Sequence, residues 1–186
     1  MYESHITVRM KRAEFLEICH DLGLKAVVIE DDTGSSAEQQ MMTAIFHRCD
    51  DPKVALREMQ DIAKKFYKVI RRKLEKIASK NDPVPDCEYQ EFHSKFYVPD
   101  HRLEKFKEMV LSNGGHTATN TMRAGYRFVT TRDYEQHQKL VSELKWNNFE
   151  FFGTMREFVI YDDNPMLDDK WVCIACPLKG LKNVEF

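Results

Sequence analysis

The sequence predicts an α+β protein made of two ferredoxin-like units in tandem, each with the element order β-α-β-β-α-β. The first observation behind this prediction is a repeated Glu-x-His pattern, at Glu3 and His5 and again, 88 residues later, at Glu91 and His93. The second is that the apolar residues after each opening strand switch between the period of strands and the period of helices. We therefore predict an internal duplication, with two antiparallel sheets that each have helices on one face.

The opening strand of each half alternates between polar and apolar side chains. In the first half, Glu3, His5 and Thr7 lie on the face opposite Ile6 and Val8, which is typical of a half-buried strand. The second half repeats the alternation, with Glu91, His93 and Lys95 opposite Phe92, Phe96 and Val98. Because the helices of a ferredoxin-like unit cover one face of its sheet, the apolar side chains are expected to meet them and the polar ones to face away.

The remaining elements follow from periodicity and from helix caps. A helix over 12–22 is predicted to end at Gly23, and a second helix is predicted to begin after the N-cap Asp51 and to run to about residue 66. The other predicted elements are strands at 26–29, 40–48, 69–77, 116–122, 126–131 and 149–162, the last with a bulge or a break near Gly153, and helices at 101–112 and 133–146.

Proline positions predict the domain boundaries. Pro83 and Pro85 mark a linker, since proline interrupts both helices and strand ladders. The predicted boundaries are 1–78 for the first unit, 79–87 for the linker, 88–162 for the second unit and 163–186 for a C-terminal extension, in which 171–175 is predicted as an extra edge strand.

Composition narrows the class of protein. The near balance of 28 basic and 30 acidic residues argues against a general nucleic-acid coat. No apolar run approaches the ~20 residues that span a bilayer, and the N-terminus lacks the basic region and apolar stretch of a signal peptide. Five cysteines, an odd number, fit a reducing compartment. We therefore predict a cytoplasmic protein.

The polar faces of the two opening strands are the first candidate site. If the two sheets face each other, these side chains line a shared cleft in which imidazole acts as an acid or base and Lys or Thr binds phosphate. The predicted roles are an acid–base pair (His5, His93), contacts to phosphate (Thr7, Lys95) and orientation of the imidazoles (Glu3, Glu91). The alternative is an ordinary polar sheet surface, with each histidine paired to its glutamate.

The predicted fourth strands carry a second candidate site. Arg71 and Lys73 share one strand face in the first half, and Arg156 lies on the matching strand of the second half. Arginine presents a planar fork that suits phosphate, so these residues are candidate contacts to a nucleotide or RNA. Alternatively, the basic residues of this region only solvate the surface.

Two further groups contain metal-ligating residue types but lack the spacing of a metal site. Cys173 and Cys176 form a C-x-x-C pair, but no second pair at zinc-binding spacing exists in the sequence, so they are interpreted as free thiols. The four aspartates between 162 and 169 match no EF-hand loop and are interpreted as a solvated turn. The sequence predicts neither a metal site nor a cofactor.

Two known families resemble the opening strands. His5-x-Thr7, mirrored by His93, is similar to the His-x-Thr/Ser strands of 2H phosphoesterases, in which one strand from each of two lobes faces a central cleft. That resemblance implies phosphodiester chemistry, with Lys95 in the place of Thr or Ser. Glu91-x-His93-x-Lys95 is also similar to the E-x-E-x-K strand of triphosphate-tunnel proteins, with His in place of the second Glu.

Over the whole chain, the sequence resembles uncharacterised bacterial and phage proteins with two repeats. The resemblance rests on the segments 2–8, 71–75 and 161–164. It implies a common fold and brings no established activity.

Two hypotheses of function follow. The first is binding of a phosphate-bearing ligand, a nucleotide or RNA, between the two units, with phosphodiesterase activity if the protein is an enzyme. The second is a non-catalytic adaptor, such as a phage-encoded one, that binds protein partners through exposed sheet edges or helix faces; an exposed sheet edge would also allow homo-oligomers. No membrane contact is predicted. The first hypothesis requires His5 and His93 within about 10 Å of each other in one pocket. Under the second hypothesis they point apart or sit buried against glutamate.

Overall fold

The structure, a computed structural model, describes residues 1–31, 40–79, 82–121 and 125–168. The strands and α-helices are β1 (Tyr2–Val8), α1 (Arg12–Asp21), β2 (Lys25–Asp31), β3 (Gln40–His47), α2 (Pro52–Ala63), β4 (Val69–Ala78), β5 (Tyr89–Tyr97), α3 (Leu103–Ser112), β6 (His116–Asn120), β7 (Tyr126–Thr131), α4 (Tyr134–Trp146) and β8 (Glu150–Asp162). Short 3-10 helices lie at Asp100–Arg102 and Pro165–Asp168. The predicted strand at 171–175 and the C-x-x-C pair lie outside the described residues.

All eight strands form one closed antiparallel barrel in the order β1-β3-β2-β6-β7-β5-β8-β4, with β4 pairing back to β1. The predicted fold class, a tandem duplication of ferredoxin-like units with separate sheets, is therefore wrong. Alternation along a strand shows which of its faces is apolar. It does not show whether the edge strands of a sheet stay open or pair with another sheet.

Two seams close the barrel between the halves. β2 pairs with β6 through Ile29, Glu30 and Asp31, and β4 pairs with β8 from Lys73 to Ala78. Each of these eight strands thus has a neighbour on both sides. The exposed edge on which the adaptor hypothesis relied is therefore not found among the described strands.

The apolar cores lie outside the barrel, between its wall and the helices. In the first half, Ile6 and Val8 of β1 pack with Phe15 of α1 and Met59 of α2. In the second half, Phe96 of β5 lies 5.7 Å from Phe106 of α3, measured between ring centroids. Since these side chains occupy the outer face of each opening strand, the alternating polar side chains point into the barrel.

Local sequence signals explain the ends of several elements. Asp51 caps α2 by accepting a hydrogen bond from the Lys53 amide at 2.8 Å, and Asp133 caps α4 by accepting from the Gln136 amide at 2.7 Å. Gly23, with φ +64°, follows α1 as predicted. The predicted bulge is present as well, because the register of β5 against β8 shifts next to Gly153.

None of the four α-helices in the described ranges combines the length and the apolar character that a membrane crossing requires.

Candidate functional site

The barrel interior contains a cavity of about 1100 Å³ to which all eight strands contribute side chains. Eight of the nine predicted site residues line this cavity: Glu3, His5, Thr7, Arg71, Lys73, Glu91, His93 and Lys95. The structure therefore brings the two predicted histidines into one cavity. Their chemical roles stay predictions.

Strand pairing explains why charged groups from both halves meet inside the barrel. Glu3 lies directly opposite Glu75 in the β1–β4 pair, and Glu91 lies directly opposite Glu157 in the β5–β8 pair. Across the β4–β8 seam, Glu75 faces Val159, two residues from Glu157 on the same strand face. We call the group at this seam the inner charge cluster: Glu3, His5, Lys73, Glu75, Glu91, His93 and Glu157.

His5 is held between a backbone carbonyl and a carboxylate. Its Nδ1 lies 3.0 Å from the Thr43 carbonyl oxygen, and its Nε2 lies 2.9 Å from Glu75 Oε2. Both partners are acceptors, so this geometry favours a proton on each ring nitrogen. Burial lowers the pKa of His5, but the Glu75 carboxylate more than offsets it, so the pKa is raised.

His93 has a corresponding place in the second half. Its Nε2 lies 3.0 Å from Glu157 Oε2 and 3.3 Å from Glu91 Oε2, while its Nδ1 lies 2.9 Å from Thr130 Oγ1. Burial lowers the pKa of His93, yet Glu157 and Glu91 outweigh burial and raise the pKa to about 10. Its side chain is 22 % exposed, so solvent reaches the imidazole.

Lys73 links the two halves of the cluster. Its Nζ lies 2.6 Å from Glu75 Oε1 and 3.0 Å from Glu91 Oε2. Burial alone would lower the pKa of Lys73, but these two carboxylates raise it well above its usual value. In return, despite burial, Lys73 and the neighbouring histidine lower the pKa of each of the two glutamates. Burial raises the pKa of Glu3, and His5 offsets this only in part.

The rest of the cavity wall contains both apolar and polar side chains. Val27, Ile29, Met42 and Phe128 line it opposite the charged groups. The interior therefore offers an apolar surface next to a dense group of proton-holding side chains, the combination typical of small-molecule sites.

The predicted phosphate contacts have other partners in the structure. Arg71 donates to both oxygens of Asp162 and of Asp168, at 2.6 to 3.0 Å. Lys95 places its Nζ 3.9 Å from the centroid of the Tyr126 ring. This geometry gives no support to the predicted phosphate and nucleotide binding, because the cations expected to bind it already pair with carboxylates or an aromatic ring.

Arg156 is the one predicted site residue that does not line the cavity. It stacks over the Phe158 ring at 4.5 Å and donates to Gln90 Oε1 at 2.8 Å. Because strand side chains alternate, its neighbour Glu157 points into the barrel instead. The structure therefore does not bring Arg156 together with Arg71 and Lys73.

Sequence reasoning missed four acidic residues. Glu75 could have been found, because it continues the alternation of Arg71 and Lys73, whereas Glu157 lies on the strand face opposite the predicted Arg156. Asp162 and Asp168 are interpreted from the sequence as a solvated turn, yet they are buried beside Arg71. Nothing in the local composition points to a partner that lies 91 residues away from Asp162.

A second pair of histidines lies on the outer side of the barrel wall. His47 Nε2 is 2.8 Å from Ser4 Oγ, and His137 Nε2 is 2.9 Å from Ser94 Oγ. Both imidazoles are almost completely buried, under the helices rather than in the cavity. We interpret these Ser–His pairs as polar contacts within the wall.

Comparison with known proteins assigns no family. No protein-family model matches the sequence, and no curated protein matches it. Among solved structures, the acetolactate synthase small subunit from Thermotoga maritima is similar with a TM-score of 0.32 and 11% identity, over 87% of this chain and 94% of that chain. A heme-binding protein from Thermus thermophilus is similar with a TM-score of 0.30 and 10% identity, over 85% and 90%. These scores are too low to assign a fold family or a function.

Proposed function

We propose that the barrel binds a small organic molecule in its interior and exchanges protons with it at the inner charge cluster. The proposal rests on one observation: His5 and His93, from different halves of the chain, both approach the Glu75 carboxylate inside a single cavity of about 1100 Å³. A cavity of this size accommodates a metabolite-sized ligand.

The charges of the cluster indicate the class of ligand. Each cation of the cluster lies against a carboxylate, so an added phosphate dianion would have to displace an existing partner. A molecule with an apolar body and one neutral polar group requires no such exchange. Its body would lie against Val27, Ile29 and Phe128, and its polar group would reach the histidines.

Proton exchange is the chemistry that these groups favour. Because the pKa values of both histidines are raised, each imidazole holds a proton at neutral pH that it can donate to a ligand within hydrogen-bonding reach, and a carboxylate beside it orients the ring. Glu75 stands in this position for His5, and Glu157 does so for His93. In this proposal the imidazoles are oriented by Glu75 and Glu157. These residues lie opposite Glu3 and Glu91, for which the sequence predicts the orienting role.

The other sequence-based hypotheses stay predictions. Phosphodiester chemistry and the resemblance to 2H phosphoesterases rest on the two histidine strands alone. The adaptor hypothesis and homo-oligomer formation have no specific contact to support them. We include a cytoplasmic location in the proposal, which the free thiols of Cys19, Cys49 and Cys87 support.

A thermal-shift screen tests the proposal. The panel contains neutral amphipathic molecules with a hydroxyl or carbonyl group, inorganic phosphate, mononucleotides and short RNA. We expect stabilisation by a neutral compound, and loss of that stabilisation in the double variant His5→Gln, His93→Gln. The matched control is His20→Gln, His101→Gln, since both of these histidines are exposed outside the barrel.

The screen also separates the alternatives. Stabilisation by phosphate or nucleotide that the cavity variant abolishes would favour the original phosphate hypothesis. Ligands that stabilise wild type and cavity variant equally would contradict a site at the inner charge cluster.

A further inference from the structure

We propose that Glu75, His93 and Glu157 bind one divalent transition-metal ion inside the barrel. Each of these side chains offers one ligand atom, and the three atoms lie within 4.8 Å of one another. Glu75 comes from the first half of the chain, and His93 and Glu157 come from the second. The β4–β8 seam is what brings them together.

The spacing is close to that of a metal-bound set. Ligand atoms bonded at about 2.1 Å to a common ion are about 3 to 4 Å apart, depending on the angle between them. Contraction from within 4.8 Å to this range requires shifts of less than about 1 Å per ligand atom. Rotation of two glutamate side chains supplies such shifts without movement of the strands.

The hydrogen bonding of Glu75 is a second, independent observation. Its side chain is 1 % exposed, and neither carboxylate oxygen accepts a hydrogen bond from any described residue. His5 Nε2 and Lys73 Nζ lie 2.9 and 2.6 Å from these oxygens as ion-pair partners, and Glu75 would exchange part of that contact for the metal ion. A buried carboxylate whose lone pairs lack aligned donors is well placed to bind a cation.

The surroundings of His93 fit a metal ligand. Thr130 Oγ1 lies 2.9 Å from Nδ1, so the hydroxyl can accept the Nδ1–H hydrogen bond and leave Nε2 to bind the ion. Nε2 is also the ring nitrogen that faces Glu157, at 3.0 Å. A hydrogen bond of this kind orients the imidazoles of many metal sites.

The set of ligands indicates the metal. One imidazole and two carboxylates suit Mn²⁺, Fe²⁺ or Zn²⁺ better than copper(I), which prefers sulfur, or Ca²⁺, which prefers oxygen alone. Three protein ligands leave at least one coordination position open, as in catalytic metal sites. That position would face the cavity, which all three side chains line.

This inference does not depend on the proposed function, because the ion can bind without an organic ligand. If the ion is bound, His93 is a ligand and proton exchange falls to His5. Failure of one proposal therefore leaves the other open.

Metal titration of the full chain, freed of metal by a chelator, tests the inference. We expect one equivalent of Mn²⁺ or Zn²⁺ to bind with micromolar affinity, measured by calorimetry, and bound Mn²⁺ to change the electron paramagnetic resonance spectrum. Glu157→Gln and His93→Gln should each weaken binding at least 30-fold. His20→Gln is the matched control, since it removes an exposed histidine outside the barrel that contacts none of the three ligands, and it should change the affinity less than threefold.

The outcomes are decisive even if one variant does not fold. Circular dichroism without metal identifies folded variants, and the near-isosteric Glu157→Gln tests the site independently of His93→Gln. Absence of binding to wild type would overturn the inference. So would unchanged affinity in folded Glu157→Gln, or a loss in His20→Gln as large as in His93→Gln.

Discussion

The two halves of the barrel place the same kind of histidine in the cavity but give it different neighbours. His5 faces Lys73 across the β1–β4 pair, whereas His93 faces Met155 across the β5–β8 pair. The cluster thus has a lysine on one side only, and that lysine contacts glutamates of both halves. The interior therefore contains one asymmetric charge cluster that spans the β4–β8 seam, rather than two equivalent sites.

The outer histidines show a second difference between the halves. His47 Nδ1 lies 2.7 Å from the carboxylate of Glu58, whereas His137 Nδ1 lies 2.8 Å from the hydroxyl of Thr131. Burial without a nearby carboxylate lowers the pKa of His137 to about 4. Two imidazoles with the same serine contact thus have different electrostatic surroundings, because one helix supplies an acid and the other does not.

The largest effect on stability is expected from replacement of Arg71. Its partners are buried carboxylates, whereas those of its predicted counterpart Arg156 are neutral. Replacement by Gln leaves two buried aspartates, Asp162 and Asp168, without their main partner. We expect Arg71→Gln to lower the free energy of unfolding by about 4 kcal/mol in urea denaturation at pH 7. Arg156→Gln removes hydrogen bonds to neutral acceptors and should cost only about 1 kcal/mol. Equal losses in both variants would show that the Arg71 network is not a buried ion pair.

The next effect tests the asymmetry at Lys73. Lys73→Met copies the residue that faces His93 and leaves Glu75 and Glu91 without their ammonium partner. We expect a loss of about 3 kcal/mol in the free energy of unfolding, measured in urea at pH 7. Lys64→Met breaks an exposed pair with Asp61 and should have no measurable effect. A Lys73→Met protein as stable as wild type would mean that Lys73 is not needed to balance these carboxylates.

A comparable effect is expected in the pH dependence of the free energy of unfolding. The pKa of His137 is about 4 in the folded protein, against 6.5 for an unperturbed histidine, so the folded state favours neutral imidazole. The resulting stability is present above pH 6.5 and is lost as pH falls towards 4, by about 3 kcal/mol. We expect His137→Gln to remove this contribution, so that its stability falls less steeply between pH 6.5 and 4. Parallel curves for variant and wild type would contradict the assignment.

The smallest effect is expected at the bulge of β8. Gly153 has φ +146°, a conformation that residues with a side chain rarely adopt, although nothing lies within 4 Å of an added methyl group. Gly153→Ala should therefore lower the free energy of unfolding by about 1 kcal/mol through backbone strain alone. Glu150→Ala, at an exposed position of the same strand, should change it by less than about 0.5 kcal/mol. If both variants match wild type, the bulge does not need glycine.

Local signals predicted much of the framework. The caps at Asp51 and Asp133 and the stop at Gly23 depend on a residue and its near neighbours, and they are present as expected. Where a local signal was ambiguous, the predicted end of an element differs from the observed one by a few residues. The helix expected from His101 begins instead with a 3-10 turn, and α3 starts at Leu103.

The site was predictable only in part. Alternation correctly placed Glu3, His5 and Thr7 away from the helices, as it did the matching face of β5. It did not reveal that Lys73 contacts both halves, or that Arg71 meets Asp162 and Asp168. Those contacts join strands that are distant in sequence, and each depends on the register at the β4–β8 seam.

The sequence by itself determined the order of the helices and strands and the face of each strand that carries charge, because these follow from side-chain periodicity and local capping. Only the tertiary structure decided that the strands close into one barrel and which charged groups pair inside it. Hydrogen bonds between strands join backbone groups that are the same in nearly every residue, so the pairing of β2 with β6 and of β4 with β8 leaves no mark in the local sequence.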